Sequence, residues 1–163
     1  MEVKYSQSQT QKIADKSVYL MKKRILAGLN KNDVPFKEYS AKPFAMPSGA
    51  TTKGTLAKVD KQFFKSKKTG NLWVVIKGGY LALKKARSPE GGDKVDLTVT
   101  GGMLRSLGVT KVSSGSFTIG FTRSEEAQKM YWQIAKGRDP IGLSPNDLKE
   151  LTPLLQTGLE FYE

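Results

Sequence analysis

The longest regular pattern in the sequence is helical, and it lies near the N-terminus. Over residues 8–30, SQTQKIADKSVYLMKKRILAGLN, a stripe recurs every four positions, no proline intervenes, and Asn30 marks the end. This spacing predicts an α-helix that packs one face on a core. The stripe comprises Ile13, Ser17, Met21, Ile25 and Leu29, widened by Val18, Leu20 and Leu26. Much of the remaining surface is cationic, with Lys12, Lys16, Lys22, Lys23 and Arg24, which favours a solvated face over a helix that reads a nucleic-acid groove.

Length and composition restrict the chemistry that this chain can perform. The 163 residues predict a single domain, 1–163, with a core of its own. No apolar run is long enough to cross a bilayer, and the N-terminus lacks the apolar stretch of a secretion signal. Cysteine and histidine are absent, which removes disulfides, thiolate metal sites and every nucleophile pair that needs histidine. Carboxylate, lysine and tyrosine chemistry remain open, but these residues form no catalytic constellation in the sequence, so we expect no cofactor and no enzymatic activity.

Positive charge is concentrated in the first half of the chain. Residues 1–87 hold 19 Lys and Arg against 5 Asp and Glu, whereas residues 88–163 hold 8 against 10. Such asymmetry predicts a basic face or arm that meets an acidic partner. Nucleic acid and an acidic protein surface both fit this description.

Residues 33–71 show no sustained period and contain three prolines, so they are predicted as an extended loop or interaction arm. Within this stretch, KQFFKSKK (61–68) interleaves two phenylalanines with four lysines. Basic residues among aromatic ones bind single-stranded nucleic acid by charge and stacking. The alternative is one buried and one partly exposed phenylalanine.

Short strands and two helices follow. Alternation predicts strands at 72–77 and 94–100, and a hairpin over 110–123 that turns at Ser114-Gly115. Ser124 is predicted to cap a helix that ends at Gly137, with Ala127, Met130, Tyr131, Ile134 and Ala135 as its buried stripe. Ser144, Pro145 and Asp147 predict the start of another helix. Pro153 predicts that this helix stops near Leu151, or that Thr152 caps a second turn.

The glycines do not match a nucleotide-binding motif. DLTVTGGMLRSLGV (96–109) carries Gly101-Gly102 after a strand, but it lacks a third spaced glycine and a following lysine. We interpret it as a strand end and a short helix capped by Thr100, with Arg105 as a further candidate for an acidic contact. GATTKGT (49–55) has Thr55 where a P-loop needs lysine. The carboxylates form no pair at catalytic spacing.

Several segments, taken in order, resemble the tailed-phage virion morphogenesis proteins, the tail-completion or head–tail joining components of the neck. The order is YSAKPF (39–44), GGYLALKKA (78–86), VDLTVTGGMLRSLGV (95–109), FTIGF (117–121) and the run 125–151. Positions that match the family pattern are Thr100, Gly101, Met103 or Leu104, Ser106, Gly137, Arg138, Pro140, Gly142, Leu143 and Ser144. The chain departs from it at QIAKGRDP, where relatives often carry histidine or asparagine before the Gly-Arg.

The resemblance implies an α+β fold, with a long N-terminal helix and shorter C-terminal helices packed on a small antiparallel sheet with a long loop. It implies a structural virion protein that assembles as a ring, commonly of six copies, between connector and tail tube, in a virion assembled in the host cytoplasm. The partners would be copies of itself, other neck, connector or tail-tube proteins, and DNA in the channel. The alternative is a basic nucleic-acid-binding accessory protein.

The candidate contact residues follow from these two functions. The loop 33–71 and the C-terminal tail 156–163 are the predicted contact elements. Subunit or partner contacts are predicted at Tyr39, Lys42, Phe44, Phe63, Phe64 and Arg138. Contacts with DNA or an acidic surface are predicted at Lys61, Lys65, Lys67, Lys68, Lys84, Lys85 and Arg87.

Overall fold

A computed structural model describes residues 5–87, 95, 97 and 101–157, and the fold is α+β, as predicted. Contacts divide the chain into two compact units, and the prediction of a single domain stays a prediction. Unit 1 comprises Met1–Phe36 and Asp96–Glu163, and unit 2 comprises Lys37–Val95. The elements are α1 (Gln7–Leu26), β1 (Phe44–Pro47), α2 (Lys53–Ala57), β2 (Lys61–Lys65), β3 (Leu72–Ile76), α3 (Gly79–Arg87), α4 (Gly102–Ser106), β4 (Leu107–Ser113), β5 (Ser116–Phe121), α5 (Ser124–Ala135) and α6 (Pro145–Thr157).

Helix α1 confirms the helical pattern of the N-terminal sequence. It begins with a capping box in which the Ser6 hydroxyl accepts from the Gln9 N–H and the Gln9 side chain accepts from the Ser6 N–H. The repeating stripe is buried from Ile13 to Ile25 and packs against β4, β5 and α6. Three predictions for this helix are wrong. The helix ends at Leu26 and not at Asn30. Leu26 is exposed, because it lies off the inward face, and Arg24 is buried.

The rest of unit 1 contains a hairpin and three helices. Strands β4 and β5 pair antiparallel and turn at Ser114-Gly115, which confirms the predicted hairpin. Gly115 has a φ of 75°, a conformation that glycine adopts without the cost that a side chain would add. Helix α6 starts with the predicted capping box of Ser144 and Asp147. It then continues through Pro153 to Thr157, so the predicted stop near Leu151 is wrong.

Unit 2 is a three-stranded antiparallel sheet in the order β1-β3-β2 with helices on one face. Its core joins Val74 and Ile76 of β3 with Leu56 and Val59, while α3 contributes Ala82 and Ala86. Strand β3 confirms the prediction for residues 72–77. The predicted strands therefore lie in two separate sheets, and most of the strand predicted at 94–100 lies outside the described residues.

The stretch 33–71 differs from its prediction as an extended loop. It contains β1, a single 3₁₀ turn at Ser48–Ala50, α2 and β2. Elements of three to five residues are too short to show a period of two or 3.6, so the pattern that identifies longer elements is missing. Helix α2 does have a capping residue that is visible in the sequence. This residue is Thr52, whose hydroxyl accepts a hydrogen bond from the Thr55 N–H.

Candidate interaction surfaces

The segment 137–147, which carries part of the family pattern, is held to α1 by one arginine. Arg24 Nη1 donates to the Asp147 carboxylate, and Nη2 donates to the carbonyls of Pro140 and Gly142 at 2.6 and 2.8 Å. Both charged side chains are almost fully buried. Asp147 also accepts from the Ser144 N–H at 3.0 Å. The residues of this segment therefore make contacts within unit 1.

Sequence reasoning missed Arg24, although a positional signal exists. Arg24 lies four residues after Leu20 and seven after Ser17, so it belongs to the inward stripe of α1. A cation in a buried stripe needs a carboxylate partner, and Asp147 of the predicted capping box supplies it. Arg138, predicted as a contact residue, is also buried, and its Nη1 donates to Gln133 Oε1 at 3.3 Å.

The Gly101-Gly102 segment also packs against other residues of unit 1. Gly101 has a φ of 70°, and a Cβ on Gly102 would lie 2.9 Å from Glu126 Oε1. Glu126 is buried and accepts from Arg123 Nη2 at 3.2 Å and Lys129 Nζ at 2.9 Å. Thr100, the predicted cap, lies outside the described residues. A side chain at the second glycine would therefore require the Glu126 carboxylate to shift.

Matched family positions outside these contacts serve packing. Leu104 and Ser106 are buried in α4, and the Ser106 hydroxyl donates to the Met103 carbonyl at 3.1 Å. Gly137 follows α5 with a φ of 77°, which permits the chain to turn there.

Two predicted contact residues of unit 2 are buried, which removes them from the exposed surface. Lys84 is 2% exposed, and its Nζ lies 5.4 Å from the centroid of the Tyr39 ring, a cation–π arrangement. Tyr39 is buried beside Tyr80. Tyr39 lies in an irregular segment, as predicted, but it is buried, and Lys84 lies on α3, a helix that was not predicted from the sequence. Phe44 is partly buried against the core of unit 2.

The remaining predicted residues of unit 2 differ in exposure and contact. Lys42 and Lys85 are exposed. Arg87 donates from Nε to Thr51 Oγ1 at 3.2 Å and from Nη2 to the Ala50 carbonyl at 3.1 Å. Its guanidinium therefore helps to hold the chain after β1.

The β2–β3 hairpin presents the aromatic side chains that the sequence singled out. Phe63 is 45% exposed and Phe64 is 41% exposed, so the alternative of one buried phenylalanine is wrong. Phe64 lies opposite Trp73 in the register, with ring centroids 6.4 Å apart, on the sheet face away from the core. Phe63 lies opposite the buried Val74, on the face that the helices cover.

Four lysines flank these aromatic residues in the sequence. Lys61 and Lys65 begin and end β2, and Lys67 and Lys68 lie in the turn that leads to β3. Lys65, Lys67 and Lys68 are exposed and Lys61 is partly exposed. The hairpin thus combines apolar rings with a cluster of like charge, and a partner must satisfy both.

Strand β2 is also a sheet edge with an intact backbone. The order β1-β3-β2 gives the sheet two edges. The β1 edge ends in Pro47, which has no N–H, whereas β2 contains no proline and is exposed along most of its length. A free strand edge presents unpaired N–H and C=O groups that another chain can join. We call β2 and its outer backbone the open edge.

Unit 1 has an exposed aromatic surface on α5 that sequence reasoning missed. Tyr131 is 64% exposed and Trp132 is 56% exposed, and Ile134 and Ala135 are exposed as well. The buried stripe predicted for this helix is therefore wrong at Tyr131, Ile134 and Ala135, whereas Met130 is buried and Ala127 is partly buried. The buried Glu126 and Met130 occupy the inward face of α5, which turns the aromatic side toward solvent. The four-residue spacing from Glu126 to Met130 is the signal for that face.

Within the described residues, no group of three or more His, Cys, Asp and Glu is arranged to hold a metal ion. None of the helices in the described part of the chain has both the length and the apolar character that crossing a membrane requires. Comparison with protein-family models, with curated proteins and with solved structures finds no match.

Proposed function

We propose that this chain is a structural subunit of a phage neck or tail-completion complex, which joins the head connector to the tail by assembling as a ring. The observation that carries the proposal is the exposure of large apolar side chains on both units, Phe63 and Phe64 on the hairpin and Tyr131 and Trp132 on α5. Large aromatic side chains are enriched at the interfaces that proteins form with other proteins.

The burial of the residues that match the family pattern supports the same function. The matched residues within the described chain are mostly buried or held by the fold, as Ser106, Pro140 and Ser144 illustrate. Buried residues of this kind maintain the fold of the subunit. The contacts with partners are then made by the exposed β2–β3 hairpin and α5. This division suits a subunit that acts by binding its neighbours.

Particles made without this chain test the proposal. In a phage or prophage in which its reading frame is stopped, we expect filled heads and finished tails to accumulate unjoined, and the wild-type chain supplied in trans to restore joined particles. Mass spectrometry of purified virions should detect the chain. Joined, infectious particles without the chain would contradict the proposed function.

A second candidate function, the binding of single-stranded nucleic acid, rests on the hairpin alone. The Phe64–Trp73 pair offers stacking surfaces, and Lys65, Lys67 and Lys68 offer charge for phosphates. Under this function a monomer binds an oligonucleotide with a steep dependence on salt, and changing the three lysines to alanine flattens that dependence. If that triple variant still joins heads to tails, the lysines have no essential role in joining.

A further inference from the structure

The open edge of β2 has a composition that selects its partner. Lys61 and Lys65 bracket Gln62, Phe63 and Phe64, and the strand lies at the edge of a three-stranded sheet. Pairing with the same edge of a second copy is disfavoured. An antiparallel pair centred on Phe63 would set Lys61 opposite Lys65 twice, and like charges directly opposite destabilise a sheet. The open edge therefore favours an acidic strand with apolar side chains.

The sequence after α6 has that composition. Helix α6 ends at Thr157, and Gly158 is followed by Leu-Glu-Phe-Tyr-Glu at 159–163, outside the described residues. It is the only stretch of the sequence in which two acidic residues directly bracket two aromatic ones. It contains no proline that would prevent strand pairing.

We propose that residues 159–163 of one copy add as an antiparallel strand to the open edge of β2 in a second copy. The register that sets Glu160 opposite Lys65 also sets Phe161 opposite Phe64 and Tyr162 opposite Phe63. A parallel arrangement with Glu160 opposite Lys61 aligns only one of the two aromatic pairs. Antiparallel pairing thus gains one ion pair and two aromatic pairs, each of which stabilises adjacent strands.

This contact identifies how copies of the chain recognise one another, and it rests on the proposed ring assembly. Strand addition gains affinity from backbone hydrogen bonds and specificity from alternate side chains. The acidic strand satisfies both the charge of Lys65 and the unpaired backbone of β2. No nucleic acid is needed for the contact.

Cysteine crosslinking tests the register directly, because the chain contains no cysteine of its own. The proposed register places Gln62 opposite Glu163. We expect Gln62→Cys in one copy and Glu163→Cys in a differently tagged copy to form a disulfide-linked heterodimer under mild oxidation. Lys67→Cys, in the turn beyond β2, is the matched control and should give little product with Glu163→Cys.

Charge reversal tests the energetics in the same assay. Glu160→Lys in the donor copy, or Lys65→Glu in the acceptor copy, should lower the crosslinking yield about three- to tenfold. Combining the two in opposite copies should restore the yield. Lys68→Glu makes the same change of charge in the turn and should leave most of the crosslinking yield unchanged. Circular dichroism of each variant establishes that it is folded.

The remaining outcomes overturn this proposal or separate it from the proposed function. An intrachain disulfide in the doubly substituted Gln62→Cys/Glu163→Cys chain, without heterodimers between copies, assigns the edge to the tail of its own chain. Loss of the crosslink on adding a dT oligonucleotide assigns the edge to nucleic acid. No crosslink in a chain found in virions leaves the proposed function and removes this contact. A crosslink in a chain that is absent from virions supports this contact and contradicts the proposed function.

Discussion

At the scale of single residues, Arg24 joins α1 to the segment that leads into α6. Arg24 satisfies the Asp147 carboxylate and the carbonyls of Pro140 and Gly142 together. A buried guanidinium that makes several hydrogen bonds fixes the geometry of the groups around it. It does so here for the loop between α5 and α6, which has little regular structure of its own.

Replacing Arg24 should destabilise unit 1 strongly. Arg24→Met leaves Asp147 charged, buried and without its cation, so we expect a loss of about 3–5 kcal/mol in the free energy of unfolding. Urea denaturation followed by circular dichroism measures it. Arg24→Met/Asp147→Asn should recover part of the loss, because no charge remains buried. Lys23→Ala, which removes an exposed ion pair with Glu150, should cost less than about 1 kcal/mol. Equal costs for Arg24 and Lys23 would contradict the role assigned to Arg24.

Two glycines of unit 2 with similar φ angles should respond differently to substitution by alanine. Gly79 has a φ of 71°, and a Cβ there would overlap with the Ser40 carbonyl oxygen. Gly70 has a φ of 67° with nothing within 4 Å of the same position. Gly70→Ala should therefore cost only the backbone strain, about 1–2 kcal/mol, and Gly79→Ala more than that. Similar midpoints of thermal unfolding for the two variants would disprove the steric argument.

At the scale of elements, α6 contains a proline in its interior. Pro153 has no N–H to donate to the carbonyl of Lys149 one turn earlier, and its ring crowds that carbonyl. Tertiary contacts of α6, including the packing on α1 and the buried Leu151, maintain the helix despite this cost.

Pro153→Ala should therefore stabilise the protein. The new N–H restores a helical hydrogen bond, and we expect a gain of about 1–3 kcal/mol in the free energy of unfolding. Chemical denaturation measures the gain, and Gln156→Ala in the same exposed stretch is the control, with an effect under about 0.5 kcal/mol. A destabilised Pro153→Ala variant would mean that the proline supports the helix end by packing.

Elements with a long period or a clear cap were predictable from the sequence. Helix α1, strand β3, the β4–β5 hairpin and the capping box of α6 match their predictions. The short elements of residues 44–65 were not predictable by periodicity, because their length is below one or two repeats. The orientation of α5 was misjudged since its inward face is built on the buried Glu126, where a hydrophobicity pattern expects an apolar side chain.

The candidate surfaces were predictable only in part. The aromatic and basic composition of residues 61–68 identified the hairpin, and β2 presents both phenylalanines. The sequence did not reveal that β2 is a sheet edge, because strand order depends on contacts between residues distant in the chain. Burial of Lys84 and Tyr39 follows from α3, and it illustrates that a surface role for lysine depends on the element that carries it.

At the scale of the whole molecule, each unit has a core and a tryptophan of its own. The core of unit 2 is formed by Leu56, Val59, Val74 and Ile76, all within Lys37–Val95. The chain has two tryptophans, Trp73 in unit 2 and Trp132 in unit 1. Fluorescence from single-tryptophan variants can therefore report on each unit separately.

We expect Gly79→Ala to lower the unfolding midpoint of unit 2 more than that of unit 1. The clash it introduces lies among residues of unit 2 alone, so the loss of stability should first reach that core. The measurement compares urea titrations of Gly79→Ala in the Trp132→Phe background, which reports Trp73, and in the Trp73→Phe background, which reports Trp132. Identical shifts in both backgrounds would mean that the chain unfolds as one cooperative unit.

The open edge of β2 also sets the symmetry of what the chain can build. A copy that accepts a strand on β2 and donates one from residues 159–163 uses two different surfaces, so the proposed contact is heterologous. Contacts of this kind close into a cyclic assembly when the rotation between neighbours divides a full turn, and otherwise extend as a filament. A copy without residues 158–163 still accepts a neighbour but donates nothing, so it acts as a terminator. Small amounts of such a copy would therefore limit the size of the assembly.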